Sequence, residues 1–475
     1  MPAANEFDLA ILGGGIGGYT AAIRASQLGM KVALVEKDKL GGTCLHRGCI
    51  PSKALLRSAE VYRLMKQSDE YGIETASITL NFPKMQERKQ KIVDQLHRGV
   101  QHLLKKGNIT VFHGLGTILG PSIFSPLTGS VSVTKELGDP EILVPKHLLL
   151  ATGSRPREME GLAFDGEYIL SSDHALQLES LPNSMLIVGA GRIGLEWASL
   201  LSDLGVDVEL VELSDRILPG EDPDISKEMT RILKKRKVKI QTGVTLLPDS
   251  LIKKENLIRI RGMVGEQEKE FESEKLLITI GRSANVENIG LENTEIRVEQ
   301  GVVVVNQMYQ TDESHIYAVG DMIGGLQLAH VASREGIIAV EHIAGLQPSP
   351  LDPLKVPKVT YSRPEVASIG WSEKEAVAQG FGVKTGIFPF RALGKAAVEG
   401  ETDGFAKLVV NRETEDLLGI HLIGPAVSNL IAEGTLAQFL DATPWELSQM
   451  VHPHPSLAEV FSEAALAVEG KAIHA

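Results

Sequence analysis

One strand–turn–helix–strand pattern occurs twice in the 475 residues, and it restricts the possible fold more than any other feature. The first copy, LAILGGGIGGYTAAIRASQLGMKVALVEK, runs an apolar segment into Gly13, Gly15 and Gly18. A helical stretch then stops at Gly29, and a second apolar strand ends in Glu36. The second copy, MLIVGAGRIGLEWASLLSDLGVDVELVEL, repeats this with Gly189, Gly191, Gly194, Gly205 and Glu212. Each of these positions lies 176 residues beyond its counterpart (189 minus 13, 212 minus 36), a register that chance does not hold. Glycines so spaced let a backbone turn tightly and approach a pyrophosphate whose charge rests on a helix N-terminus. The acid ~20 residues on accepts hydrogen bonds from a ribose. Two such sites imply two dinucleotide cofactors. Glu212 would repel a ribose phosphate, which predicts NAD rather than NADP at the second copy.

Cys44 and Cys49 are the only cysteines, five apart in GGTCLHRGCIPSK. A structural staple closing so short a loop would restrict the unfolded chain very little. On a regular helix, residues five apart are separated by about 7.5 Å of rise, beyond the ~7 Å limit for a disulfide. Gly48 and Pro51 predict a distorted backbone there, and strained disulfides are the labile, catalytic ones. With only His46 nearby, a metal centre is not expected. The pair reads as redox-active.

The formal net charge of -13 argues against nucleic acid and anionic membrane surfaces as partners. No apolar run reaches the ~18 residues of a membrane span. The chain enters a predicted strand within a few residues of Met1, with no room for a signal or transit peptide. A cytoplasmic location is therefore expected, where a reducing poise keeps a dithiol cycling.

Beyond the first repeat, KHLLLATGSRP is a buried strand ending in Ala151, Thr152 and Gly153, and LLITIGRSAN is another. SHIYAVGD runs a strand into Asp321, an acid that either binds a ligand hydroxyl or caps the helix LAHVASREGIIAVEHIAG. The first repeat is thus split, with the second inserted between about residues 153 and 280. Four prolines in QPSPLDPLKVP mark the next boundary. Shorter strands follow (GFAKLVVN, LLGIHLIG), then helices near 429–440 and 457–468. The expected fold class is α/β: two Rossmann-like dinucleotide-binding domains, one inserted in the other, plus a C-terminal α+β interface domain. In VHPHPSLAEVF, prolines flank His454 and Glu459 lies five residues on. On this pattern alone an ordinary surface histidine outweighs a catalytic one.

Five segments together resemble the pyridine nucleotide-disulfide oxidoreductases over essentially the whole chain: GGTCLHRGCIPSKALL, ATGSRP, VGAGRIGLE, AVGD with LAHVASREG, and HPHPSLAE. The likeness is greatest to the members that oxidise dihydrolipoyl groups for 2-oxoacid dehydrogenase complexes. GTCLHRGCIPSKALLRSAEVY is most like those serving branched-chain substrates. The resemblance implies a homodimer of four domains: FAD-binding (1–152), NAD-binding (153–281), central (282–350, completing the FAD site) and interface or dimerisation (351–475). Its implied partners are a lipoyl domain and the acyltransferase component of such a complex, not nucleic acid or membrane.

On matching positions, Cys49 would be the thiol against the flavin and Cys44 the interchange thiol facing the substrate. His454 from the other subunit would be the base, oriented by Glu459, which reverses its surface reading. Lys53 and Glu196 would pair beside the flavin and nicotinamide. FAD would meet Gly13, Gly15, Gly18, Glu36, Thr43, Lys53, Gly116, Thr152, Gly153, Ser154, Asp321, Gln327, Leu328, Ala329 and His330. NAD would meet Gly189, Gly191, Arg192, Ile193, Gly194, Glu212, Val244 and Gly281. The chain departs from the family pattern at Ala284, where a proline is usual and alanine should loosen a turn, and at Pro453 between the histidines.

Relatives with other substrates fit less well. A glutathione reductase would place arginines where Glu212 stands. A mercuric reductase would need a second thiol pair near the C-terminus, and residues 350–475 hold no cysteine. A soluble transhydrogenase lacks the redox pair. A non-catalytic flavin-binding scaffold would have lost Cys44, Cys49 or His454, and all three are present.

Overall fold

The computed structural model describes residues 5–121, 128–135 and 137–474. They fall into two units: Met1–Ala54 with Lys84–Arg157 and Arg282–Leu351, and Leu55–Pro83 with Glu158–Gly281 and Asp352–Ala475.

In the first unit, strand β1 (Asn5–Leu12) lies parallel to β2 (Val32–Glu36) on one side and to Glu141–Leu150 on the other. Thr110–His113 extends the β2 edge in parallel. Ile316–Ala318 returns from far along the chain to pair, also in parallel, with the end of Glu141–Leu150. At its other end Glu141–Leu150 carries the antiparallel strands Ser130–Thr134 and Leu115–Leu119. The unbroken apolar runs follow from burial on both faces. Leu9 and Ile11 enter one core, Ala10 and Leu12 the other. Helix α1 (Ile16–Gln27) buries its small face, Gly17, Gly18, Ala21, Ala22 and Ala25. Helix Ala329–Ile343 approaches so closely that a Cβ on Gly336 would stand 2.6 Å from the Gly17 carbonyl oxygen.

In the second unit, a parallel sheet runs Lys239–Gln241, Asp207–Val211, Ser184–Val188, Lys275–Ile278 and Ile169–Leu170. An antiparallel meander follows, Val244–Lys254, Leu257–Val264 and Gln267–Ser273. The C-terminal segment forms a five-stranded antiparallel sheet in the order Lys358–Thr360, Glu365–Gly370, Leu417–Gly424, Phe405–Asn411, Val383–Pro389. Helix Glu459–Val468 lies on it so tightly that a Cβ on Gly386 would stand 2.2 Å from the Ala464 carbonyl oxygen. A buried cation fastens this unit: Lys407, 1% exposed, meets Asp222, Asp224 and Glu373 at 3.1, 2.6 and 2.7 Å. Removing one partner from such a group leaves an uncompensated buried charge.

Ala284 is buried and pairs with Ser154 in a short antiparallel ladder of Ser154–Pro156 with Arg282–Ala284. Among the described residues, no helix is long and apolar enough to cross a membrane.

Candidate functional site

The two glycine turns share their internal hydrogen bonds. Glu36 accepts from the N–H groups of Gly14 and Asp38, both at 2.7 Å. Glu212 accepts from Ala190 at 2.6 Å and Ser214 at 2.9 Å, each donor 176 residues on (190 minus 14, 214 minus 38). The backbones need glycine for the same reasons. Gly13 and Gly189 hold φ of 107° and 98°, where a Cβ would stand 2.2 Å from the Ala151 oxygen and 2.7 Å from the Thr279 oxygen. A Cβ on Gly18 or Gly194 would sit 1.8 or 1.9 Å from the carbonyl oxygen of Gly13 or Gly189. Gly15 caps α1 and Gly191 caps helix Arg192–Asp203; neither helix has a side-chain cap or an acid in its first turn. Both N-termini therefore suit an anion. Burial pushes the Glu36 carboxyl up, opposed by the Gly14 N–H.

Gly116 sits where β1 and β2 end; a Cβ there would stand 2.6 Å from Leu12 and 3.1 Å from Val35. Val244 donates its N–H to the Glu212 carbonyl at 2.9 Å. Gly281 holds φ 122° with no atom within 4 Å of the Cβ position. Arg192 and Ile193 open their helix at the second turn.

The cysteines lie on two helices rather than one. Helix α2 (Gly42–Arg47) carries Thr43 and Cys44, and α3 (Cys49–Lys66) begins at Cys49. Gly48 breaks the path at φ −147°, ψ −113°, so the regular-helix separation does not apply. The Cys44 thiol is held well above the ordinary cysteine range, first because it hydrogen-bonds to Cys49 and then by burial. Lys53, one turn along α3, pulls the other way. Both thiols are half-buried.

Around Thr152–Ser154 the chain gathers a polar cluster. The Ser154 hydroxyl donates to the Asp321 carboxylate. Arg282 donates to the Ser154 hydroxyl at 2.7 Å and its carbonyl at 2.8 Å. Asn285 donates to the Thr152 carbonyl at 2.9 Å, and the Thr152 hydroxyl donates to the Asn285 carbonyl at 2.7 Å. Gly153 between them holds φ 70°. Asp321 is thus engaged by Ser154 and, at 3.7 Å, by Arg282. Gln327 holds φ 41° and donates to the Asp321 carbonyl at 3.3 Å. Leu328 caps the helix that Ala329 and the exposed His330 begin. Glu335 accepts the Gly320 N–H at 2.7 Å, and burial raises its carboxyl to about 7 against that bond. Arg282, Asn285 and Glu335 were missed by sequence reasoning; only the family-like GRSAN segment hinted at the first two.

In the second unit, Glu196 is buried and accepts the Tyr361 N–H at 3.0 Å. Lys53 belongs to the first unit. The His454 ring is 77% exposed, and its Nδ1 lies 2.8 Å from Glu459 Oε1. With a carboxylate as acceptor the proton sits on Nδ1, leaving the Nε2 lone pair free to take another. The other Glu459 oxygen accepts the Ser456 N–H at 2.8 Å. Burial pushes the Glu459 carboxyl up, but Ser456 and His454 outweigh it and hold it below the usual range. His452, 3% exposed and 2.8 Å from Glu433, is a second histidine–carboxylate pair that the sequence reading passed over.

The first unit thus holds one glycine turn and the facing dithiol, and the second holds the other glycine turn and the exposed His454–Glu459 pair. Comparison with known proteins shows the family. Residues 7–336 match the family model described as pyridine nucleotide-disulphide oxidoreductase, and 356–465 match its dimerisation domain. The chain is 59% identical over 472 residues to dihydrolipoyl dehydrogenase of Bacillus subtilis, covering 99% of this chain and all of that one. The solved LpdA of Mycobacterium tuberculosis superposes with a TM-score of 0.89 at 27% identity, covering 97% of this chain and 99% of that one. The flavoprotein disulfide reductase RclA of Escherichia coli, solved as a Cu(II) complex, gives 0.85 at 25% identity over 97% and 99% of the two chains.

Proposed function

The chain belongs to the pyridine nucleotide-disulphide oxidoreductases, and on that premise we propose that it oxidises protein-bound dihydrolipoamide to lipoamide while reducing NAD to NADH. The observation carrying this reading is the facing Cys44–Cys49 dithiol at a helix break, on a chain that also holds two dinucleotide turns.

The residues fit FAD at the first turn and NAD at the second. Gly13 and Gly18 clear space that a Cβ would fill, and the uncapped N–H groups of α1 suit a pyrophosphate. At the second turn Glu212 is fixed by two N–H groups, while Arg216 donates to the carbonyls of Pro219 and Glu221. A carboxylate in the ribose position, with the next arginine along the chain engaged elsewhere, favours NAD over NADP. Bound FAD and NAD supply what no side chain has, uptake of an electron pair from sulfur and its delivery as a hydride.

The side chains handle protons and sulfur. A dihydrolipoyl thiol is largely protonated near neutral pH, and only a thiolate attacks a disulfide. His454 Nε2, from a second copy of the chain, takes that proton, and the Glu459 carboxylate stabilises the imidazolium that forms. The substrate thiolate attacks Cys44 of the oxidised pair. The second substrate thiol then releases lipoamide, leaving Cys44 as thiol and Cys49 as thiolate.

Pairing of two copies is supported by the dimerisation domain and by Phe439, Leu440, Trp445 and Val451, large apolar side chains left exposed just before His454. The natural partners are a lipoyl domain and the acyltransferase of a 2-oxoacid dehydrogenase complex, in the cytoplasm. The test is turnover of purified holoprotein with dihydrolipoamide and NAD, against glutathione disulfide with NADPH. Activity in the first pair, abolished by Cys44→Ser in a protein that stays yellow and folded, is the expected result. Turnover only in the second pair, or near-normal turnover in the variant, contradicts it.

A further inference from the structure

Between the first glycine turn and the cysteines runs a second turn, Leu40–Gly41–Gly42, with two consecutive left-handed residues at φ 107° and 59°. It touches both neighbours. Gly41 donates its N–H to the Gly14 carbonyl at 2.8 Å, and a Cβ on Gly42 would stand 2.6 Å from the Gly15 Cα. At its far side Gly42 begins α2, which carries Cys44. The orientation of this turn therefore sets where the Cys44 thiol stands relative to the nucleotide cradle.

One carbonyl of the turn is held from two directions. The Leu40 oxygen lies 2.9 Å from His46 Nε2 and 2.8 Å from His97 Nδ1. A carbonyl oxygen only accepts, so both nitrogens carry the proton and both lone pairs are filled. The rings meet edge to face with centroids 5.2 Å apart. His46 sits on α2 two residues past Cys44. His97 comes from the 25-residue helix Phe82–Lys106, anchored in the core through Val93, Val100 and Leu104. One ring ties the cysteine helix back onto its own leading turn, and the other ties that turn to an independent rigid element.

We propose that His46 and His97 are positioning residues for the dithiol, clasping the Leu40 carbonyl so that Cys44 is held for exchange. The inference rests on the dithiol reading above. A thiol displaced by about 1 Å from its exchange geometry loses up to ~100-fold in rate. The clasp works through donor hydrogens, so its chemistry is replaceable. A glutamine amide reaches the Nε2 position of His46, and an asparagine amide the Nδ1 position of His97.

The experiment compares His46→Leu, His46→Gln and His97→Asn holoproteins in two assays: dihydrolipoamide with NAD, which needs the dithiol, and NADH with ferricyanide, which draws electrons from the flavin without it. His46→Leu should lose about 10-fold or more in kcat for dihydrolipoamide with FAD content and ferricyanide rate intact. His46→Gln and His97→Asn should stay within ~3-fold of wild type. Unchanged dihydrolipoamide turnover in His46→Leu overturns the proposal. So do parallel loss of both activities or of FAD, which would show a general packing role, and failure of glutamine to restore the rate. Should the wild type ignore dihydrolipoamide, the substrate reading falls instead. The clasp is then read from the equilibrium of the cysteine pair with dithiothreitol, expected to move ~10-fold in His46→Leu and to overturn the proposal if it does not move.

Discussion

The two glycine turns are built alike and sit in different surroundings. Each fixes its carboxylate with two N–H groups at matching positions, and each needs glycine at its first and third positions because a Cβ would strike a backbone oxygen. Yet the first is closed in. A Cβ on Gly14 would meet Leu40 at 2.9 Å, Gly42 lies on Gly15, and Gly17 meets the helix carrying Gly336. Around the second, the Cβ positions of Gly191, Gly243 and Gly281 have nothing within 4 Å. Glu36 is 9% exposed, whereas Glu212 is half-buried. On the proposed reading, the same backbone device would serve a group held in place at the first turn and a group that comes and goes at the second. That is the division expected between a resident flavin and an exchanging nicotinamide.

The largest test of this contrast is Gly18→Ala. A Cβ 1.8 Å from a backbone oxygen cannot be absorbed by a side-chain shift. The variant should lose about 4 kcal/mol or more and fail to retain FAD, measured by urea unfolding and flavin absorbance. A stable yellow protein would show that the closed turn is looser than described.

Glu335→Gln sharpens the closed side through pH. The carboxyl ordinarily titrates at 4.5 and is raised to about 7 in the fold by burial. It binds its proton more tightly folded than unfolded, so its contribution is whole below 4.5 and is lost as pH rises through about 7. The loss is about 3 kcal/mol at most. Relative to wild type, the glutamine variant should gain stability between pH 5 and 8 in urea unfolding. A constant difference would refute the protonated carboxyl.

At the open turn, Glu212→Arg should cut the preference for NAD over NADP by about 10- to 100-fold in kcat/KM, as charge repulsion becomes attraction. Unchanged discrimination would mean that this carboxylate does not read the ribose. The smallest effect belongs to Gly191→Ala. Its φ of −76° and open Cβ position predict normal folding and FAD content, with KM for NAD raised only a few-fold, about 1 kcal/mol, by crowding of the pyrophosphate. A folding defect there would erase the contrast.

Much of this was legible in the sequence because it is local. Each copy of the glycine pattern, the apolar strands Phe405–Asn411 and Leu417–Gly424, and the short spacings Cys44–Cys49 and His454–Glu459 all lie within one short stretch of chain. What was missed depends on distance along the chain. Arg282 reaches Ser154 across 128 residues and Asn285 reaches Thr152 across 133. His97 finds Leu40 across 57, a pairing that nothing local to either residue announces. The meander Val244–Ser273 escaped notice because alternation interrupted by charged turns resembles a loop. Local chemistry announces itself in sequence; the polar partners that hold it in place are chosen by the fold.

The claim on which the rest depends is that Cys44 and Cys49 form and break a bond with each other during turnover. Oxidised holoprotein is mixed with one equivalent of dihydrolipoamide, without NAD, and both cysteines are then alkylated and located by peptide mass. The expected result is two cysteines that resist alkylation before substrate and are both labelled afterwards, with long-wavelength absorbance of a thiolate beside the flavin appearing in step. Two cysteines already labelled before substrate, in protein that still turns over, would contradict it.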